Sequence, residues 1–476
     1  MDNMVISRPS ALIFFCTAYF FALLGDSLLV ARLPGALAGT GAIVLLFAIV
    51  QLVTKKDNYA LLTATLGAVA MNMVWVSRVS IIEAILVPLI LLNIYCFLKF
   101  IENKNWWWMF GGTLGLLLLT KYTSIFLVLL YITYLALEKR SYFKSKKLYG
   151  ALGLTIVLLI PVIAYNVALF KSQGHFDVQL SYVTRQIVKE WPVLLGKIQS
   201  PLSAIGVTIR NIASNFLLIL AGLGTVITGY WSLRKYKKEI VFLWLYIAFW
   251  TLSLIKIGSA NRFLSIYGPA LIILAAIPLM ILWEREGRKR YLWRGIVILI
   301  LLVELVITSK KTIATYPEFG IAKLDIYFTK EFDGIDTAIT PESNNPHLNE
   351  VIKTFSKKKK APKRELFIIV YNNSIALPTK QWIFYRRFLY HSTPTLTVEE
   401  YNAVQEKNGS EYFKNFTIYF VDNTNETIIE AKKESSQEAT NLRKNVEEKN
   451  IAPDTIITNR EGSETFRVYK FEASEV

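Results

Sequence analysis

Ten apolar stretches crowd into the first 308 residues, at about 33–54, 59–76, 81–100, 106–120, 122–138, 148–170, 207–231, 239–256, 263–283 and 293–308. A soluble domain has no way to bury so many runs of this length. A bilayer, whose hydrocarbon takes a helix of about 20 residues, accounts for them directly. Inside lipid each backbone N–H and C=O must be satisfied within its own segment, so the runs should be helices. Their continuous apolarity excludes the alternating pattern of a membrane β-barrel. The chain is 53% hydrophobic overall, with a mean hydropathy of +0.38. The expected architecture is an all-α polytopic membrane protein of about ten spans (1–308), followed by a soluble α/β domain (309–476). The runs at 106–120 and 122–138 are short and form either two spans or one broken pair.

The location of charge supplies the topology. Residues 309–476 carry 24 basic and 24 acidic side chains, so the net charge of +17 lies wholly in the apolar part. Its cations gather at Lys55 and Lys56, Lys99 and Lys104, Lys139 to Lys147, Arg234 to Lys238, and Arg285 to Arg294. These are alternate loops, and the positive-inside rule puts all five in the cytoplasm. The loop 171–206 and the C-terminal domain then lie outside, in a multi-pass inner-membrane protein. Residues 11–24 would reach only about 21 Å as a helix, short of a ~30 Å core. They read as an external membrane-dipping helix, or as a short span from a cytoplasmic N-terminus.

A basic membrane half points to lipid and topology, not to nucleic acid. The run Lys357–Lys360 lacks interleaved aromatics and reads as a solvated loop. Cys16 and Cys96 both lie in apolar segments and offer neither a disulfide framework nor zinc spacing. No metal site and no certain cofactor is expected. The loop 171–206, with His175, Asp177, Arg185, Lys189 and Glu190, reads as amphipathic and interfacial. In the tail, strands are expected near Glu365–Asn372, Trp382–Tyr390 and Phe416–Asp422, with a hairpin within 454–472. Helices are expected near 346–357 and 427–449.

The informative charges are those at the outer ends of spans, where topology does not ask for cations: Arg8, Arg78, Lys121, Lys256 and Arg262. Charge at membrane depth is expensive and marks a pathway, a partner or an anionic ligand. Snorkelling to headgroups explains any one of them equally well, but several on one face favour a phosphate site. Glu83 opens a helix five residues after Arg78, where the helix dipole or an ion pair with Arg78 would also suit it.

These residues carry a resemblance. Arg32-Leu33-Pro34-Gly35-Ala36-Leu37-Ala38-Gly39 resembles a span opening in GT-C glycosyltransferases, in the branch of protein O-mannosyltransferases and aminoarabinose transferases. Ser77-Arg78 with Glu83, then Gly115 to Thr120-Lys121, then Arg262-Phe263 with Pro269-Ala270-Leu271, match that family's later motifs in order. The resemblance covers about residues 7–283. It implies transfer of a sugar from a polyprenyl-phosphate donor to a glycan, lipid or protein acceptor on the outer face of the membrane. Arg8, Arg78, Lys121 and Arg262 would hold the lipid phosphate, and Glu83 would be a second acidic group in the site. The acidic residue that acts on the acceptor belongs to a first external loop, upstream of a motif matched here by Arg8-Pro9-Ser10-Ala11. Only seven residues precede Arg8, and Asp2 lies too close to it, so the chain reads as N-terminally truncated. Two other classes fit the residues: a non-catalytic membrane scaffold, and a lipid or solute transporter. The second would bring inverted repeats and helices broken at mid-membrane, and the sequence shows no repeat.

Overall fold

The computed structural model describes residues 11–177, 180–181, 184, 186, 202–234, 238–314, 319–339, 341–343, 346–356, 363–424 and 437–476. The chain divides into two compact units between Tyr316 and Pro317.

In the first unit all ten apolar stretches are helical, but fewer are long enough to cross a membrane singly. Among the described residues seven are: Leu28–Thr54, Glu83–Glu102, Lys146–Gln173, Asn215–Arg234, Lys238–Ile257, Asn261–Trp283 and Arg290–Thr312. An eighth is a bent pair, Asp57–Val69 and Met71–Arg78, which turns by 56° at Ala70. The expected about ten apolar runs include some too short to cross alone, for a simple reason. Trp107–Thr120 and Ile125–Glu138 have 14 residues each and rise only about 21 Å. They form a short hairpin, with Lys121 and the turn Tyr122–Ser124 at its tip. The stretch expected at 207–231 is also divided, into Leu202–Ile212 and Asn215–Arg234. Ser214 makes the new start by accepting the Leu217 N–H at 2.9 Å, as an N-cap serine does. Residues Ala11–Leu24 form a helix that packs against Leu28–Thr54.

The basic loops meet at one end of the bundle through their acidic partners. Lys55 pairs with Glu102 at 3.1 Å and Lys56 with Glu284 at 2.6 Å. Lys147 donates to Asn105 at 3.3 Å, and Lys238 lies 3.6 Å from Glu138. The hairpin core between them is aromatic, with Phe97 stacked on Tyr131 at 4.0 Å. The buried Asn93 amide in this core is satisfied. Asn93 accepts from Tyr131 at 2.8 Å and donates to Thr113 at 2.9 Å.

The motif around Pro34 has a packing reason. Gly35 and Gly39 lie one helical turn apart on Leu28–Thr54 and face the chain at Ser77. A Cβ at Gly39 would overlap the Ser77 Cβ, and one at Gly35 would come within 3.1 Å of the Ser77 carbonyl. Small residues let the backbones approach in this way. Gly39→Val should therefore destabilise the folded protein by about 1–3 kcal/mol, the usual effect of overpacking. Thermal unfolding in detergent measures it. Gly39→Ala combined with Ser77→Gly should recover much of the loss, and a normal melt for Gly39→Val would exclude the close approach.

The second unit is a three-layer α/β domain. With strands numbered along the chain, β1 is Ile335–Thr337, β2 Lys363–Glu365, β3 Phe367–Tyr371, β4 Thr395–Thr397, β5 Thr417–Asn423, β6 Thr455–Thr458 and β7 Glu464–Glu472. The main sheet has the order β4-β3-β5-β7-β6, parallel through the first three and antiparallel after them. Helices cover both faces. Phe367, Ile369 and Tyr371 pack with Leu324, Phe328 and Phe384 on one side. Ile368 and Val370 pack with Val398, Tyr401 and Val446 on the other. Burial on two faces explains why β3 reads as an unbroken apolar run.

The strand expected at Trp382–Tyr390 is a correction. Leu377–Tyr390 is helical throughout, with a π-turn at Lys380–Tyr385. Its aromatic content suggested a strand, but the buried positions Lys380, Ile383, Phe384, Arg387 and Phe388 follow a helical repeat. Asp325 anchors this face. It accepts the Trp382 indole N–H at 3.0 Å and the Arg386 guanidinium at 2.5 Å, and it pairs with Arg387. The other expected tail elements form close to their predicted places: Pro346–Ser356, β3, β5 and the β6–β7 hairpin; of the helix expected near 427–449, Gln437–Glu448 is helical, and residues 427–436 lie outside the described residues. Lys357–Lys360 lies outside the described residues.

Candidate functional site

Glu83 begins the span Glu83–Glu102, with its carboxylate in the first turn, where the helix dipole favours a negative charge. Lys121 follows the last residue of Trp107–Thr120, at the tip of the short hairpin. Their side chains meet, with Lys121 Nζ 2.5 Å from Glu83 Oε1, and both are buried at 9% and 1% exposure. The sequence offered Arg78 as the partner of Glu83; the structure gives it Lys121. Glu83 Oε2 has no hydrogen-bond partner among the described residues.

A third motif closes on this pair. Lys121 Nζ lies 4.2 Å from the centroid of the Phe263 ring, and the Arg262 guanidinium lies 4.8 Å from the same ring. A cation against an aromatic face gains from the ring quadrupole, most where water is scarce. Phe263 thus holds two cations close together, which their mutual repulsion would otherwise resist. Lys121 is compensated by Glu83. Among the described residues the Arg262 guanidinium has neither hydrogen bond nor ion pair, and the residue is only half-buried.

Arg78 ends the half-helix Met71–Arg78 and donates to the carbonyl of Thr312. Arg8 lies outside the described residues, as do Asp2, Arg185, Lys189 and Glu190. The structure therefore brings together Glu83, Lys121 and Arg262 from three separate motifs and seats Arg78 beside the last span.

Some participants were not legible as such. Asp177, expected in an interfacial loop, is fully buried. It accepts from Tyr122 at 2.8 Å, from Asn166 at 3.0 Å and from the Leu180 N–H at 3.0 Å. Tyr122 follows Lys121 directly, so this carboxylate ties the hairpin tip to the end of Lys146–Gln173. Phe263 was read as part of a motif, with no role of its own. Among the described residues no three His, Cys, Asp or Glu side chains gather as a metal site requires.

This arrangement sits on a known architecture. The fold is that of the GT-C membrane glycosyltransferases, of the type that includes protein O-mannosyltransferases and ArnT. Residues 8–165 match the family described as dolichyl-phosphate-mannose-protein mannosyltransferase. Among solved structures, ArnT from Cupriavidus metallidurans in the apo state is 12% identical, with a TM-score of 0.54 over 98% of this chain and 88% of that one. The same protein bound to undecaprenyl phosphate gives 10% identity and a TM-score of 0.52 over 96% and 87%. The apo oligosaccharyltransferase from Archaeoglobus fulgidus is 12% identical, with a TM-score of 0.46, and this chain spans 61% of its length. No curated protein matched the sequence.

Proposed function

We propose that this protein moves a sugar from a polyprenyl-phosphate-linked donor to an acceptor at the outer face of the cytoplasmic membrane. The observation that carries the proposal is the Arg262 guanidinium, without ion pair or hydrogen bond among the described residues, over the Phe263 ring beside the buried Glu83–Lys121 pair. When the sugar departs, negative charge builds on the lipid phosphate. Donors already oriented towards that phosphate stabilise the charge without reorganising. Arg262 has the planar fork for it, unpaired among the described residues, and Lys121 and Arg78 add positive potential. Arg8 is a fourth phosphate ligand on motif grounds. Glu83 is the second acidic group, and its contact with Lys121 fixes where that ammonium lies. No described residue is assigned the principal carboxylate that would orient the acceptor hydroxyl. The kinship in fold to ArnT, whose structure holds undecaprenyl phosphate, supports the lipid class. The C-terminal unit is proposed to bind acceptor or envelope material outside.

Two measurements test this reading. Purified protein in liposomes should bind polyprenyl phosphate and release it from a labelled sugar donor; the absence of both would end the proposal. The sidedness is checked separately, in a Cys16→Ser, Cys96→Ser background. Ser410→Cys should react with an impermeant thiol reagent in intact cells, and Ser145→Cys in the basic loop should not. The reverse pattern would place the cation cluster on the cytoplasmic side.

A further inference from the structure

Five cations crowd into the turn that joins the last two spans of the membrane unit. Residues 284–294 hold Arg285, Arg288, Lys289, Arg290 and Arg294 against two acids, Glu284 and Glu286. One acid is already engaged, since Glu284 pairs with Lys56 at 2.6 Å. Among the described residues no carboxylate pairs with any of the five cations. The turn is tight. Helix Gly268–Trp283 ends and Arg290–Ser309 begins with only residues 284–289 between them. Gly287 takes a φ of +97° there, which suits a residue without a Cβ.

Two crossed stacks brace the helix ends. The Arg285 guanidinium lies 4.5 Å from the centroid of the Trp293 ring, and that of Arg294 lies 5.3 Å from the Trp283 ring. A guanidinium over a ring face keeps its in-plane N–H donors for another partner. Neither guanidinium makes a hydrogen bond among the described residues, and Arg294 Nε is buried without an acceptor. Both tryptophans stand at span ends, where indole rings settle at headgroup level. Tyr291 and Leu292, between them and Arg290, are exposed on the flank of the bundle. Unpaired cations held at headgroup depth beside exposed apolar surface match a ligand with a phosphate and acyl chains. Arginine takes the phosphate through two parallel donors, and the flank takes the chains.

We infer that this turn is a binding site for the headgroup of an anionic phospholipid, held by Arg285 and Arg294 and drawn in by Arg288 and Lys289. It lies apart from the proposed sugar-donor site. Glu83 opens the span that Glu102 closes, and Glu102 pairs with Lys55 at the basic end, where Lys56 meets Glu284. The site stands on this geometry and on the span ends; that the lipid comes from the cytoplasmic leaflet rests on the topology proposed above.

Native mass spectrometry of the full chain, released from micelles with equal phosphatidylglycerol and phosphatidylethanolamine, tests the site. The wild type should retain the anionic lipid in clear preference to the zwitterionic one. Arg285→Gln with Arg294→Gln should lower retention of phosphatidylglycerol by about tenfold or more. Lys144→Gln with Lys146→Gln removes the same charge from another basic loop and should change it by less than about twofold. Trp283→Leu with Trp293→Leu removes the stacks but no charge, and should give a loss between these two. If the double arginine variant does not fold, Arg294→Gln alone should still lose retention by about threefold or more. Equal retention of both lipids by the wild type would overturn the inference, as would unchanged retention in a folded arginine variant. Equal losses from the two loops would also overturn it, by showing diffuse attraction in place of a site. Displacement of the lipid by inorganic phosphate would point to a soluble anion and sink the lipid assignment. The thiol labelling at Ser145→Cys judges only which leaflet supplies the lipid.

Discussion

Arg262→Ala is expected to weaken binding of polyprenyl phosphate by about 1.5–3 kcal/mol, or roughly 10- to 150-fold, the scale of charge-assisted hydrogen bonds. The reason lies in what surrounds the guanidinium. Its contact on Phe263 is with a ring face, so its N–H donors stay available to an incoming anion. Removing it should leave the fold intact, because no ion pair or hydrogen bond of that guanidinium is lost among the described residues. The melting temperature should stay near that of the wild type. Arg262→Lys should recover only part of the affinity, since an ammonium cannot offer two parallel donors to a phosphate. The loss should also shrink as salt rises, because the residue is half-exposed and its field is screened. Equal lipid binding by wild type and Arg262→Ala would remove this residue from the site and with it the main support for the proposed donor.

What the sequence showed and what it hid divide along physical lines. Long apolar runs report membrane spans well, since the requirement for backbone satisfaction in lipid has few solutions. They report breaks poorly. Nothing in Val69-Ala70-Met71 is a helix breaker, yet the chain turns by 56° there. The division at Ser214 was more readable, because a serine that can cap a helix stood inside an apolar stretch. Motif order brought Arg78, Glu83, Lys121 and Arg262 to notice, but order does not give pairing. Glu83 is nearer in sequence to Arg78 and yet bonds to Lys121, because the short hairpin ends at the depth where Glu83 begins its helix. Glu304, wholly buried and accepting a hydrogen bond from Ser214, could have been singled out by a plain rule, that a lone acid within an apolar run needs a reason. Trp382–Tyr390 misled because aromatic richness outweighed the spacing of its buried positions.

The largest effects are expected at the Glu83–Lys121 pair, where a structural role and a chemical role can be separated. Lys121→Ala leaves Glu83 buried at 1% exposure without its counter-charge, and should destabilise the protein by about 3–5 kcal/mol. Glu83→Ala should destabilise it less, because Lys121 keeps its contact with Phe263 and more access to water. Replacing both, as Glu83→Leu with Lys121→Met, removes two buried charges together. Similar pairs exchanged for apolar side chains leave stability unchanged or improved, so the double variant should melt near the wild type. Sugar transfer should respond differently. The leaving phosphate loses a cation fixed at its site, so transfer should fall by on the order of 100-fold in the double variant as well. A stable double variant that still transfers sugar at the wild-type rate would show that the pair only seals the junction between the hairpin tip and Glu83–Glu102. A stable double variant without transfer would place the Glu83–Lys121 pair among the groups that carry the chemistry.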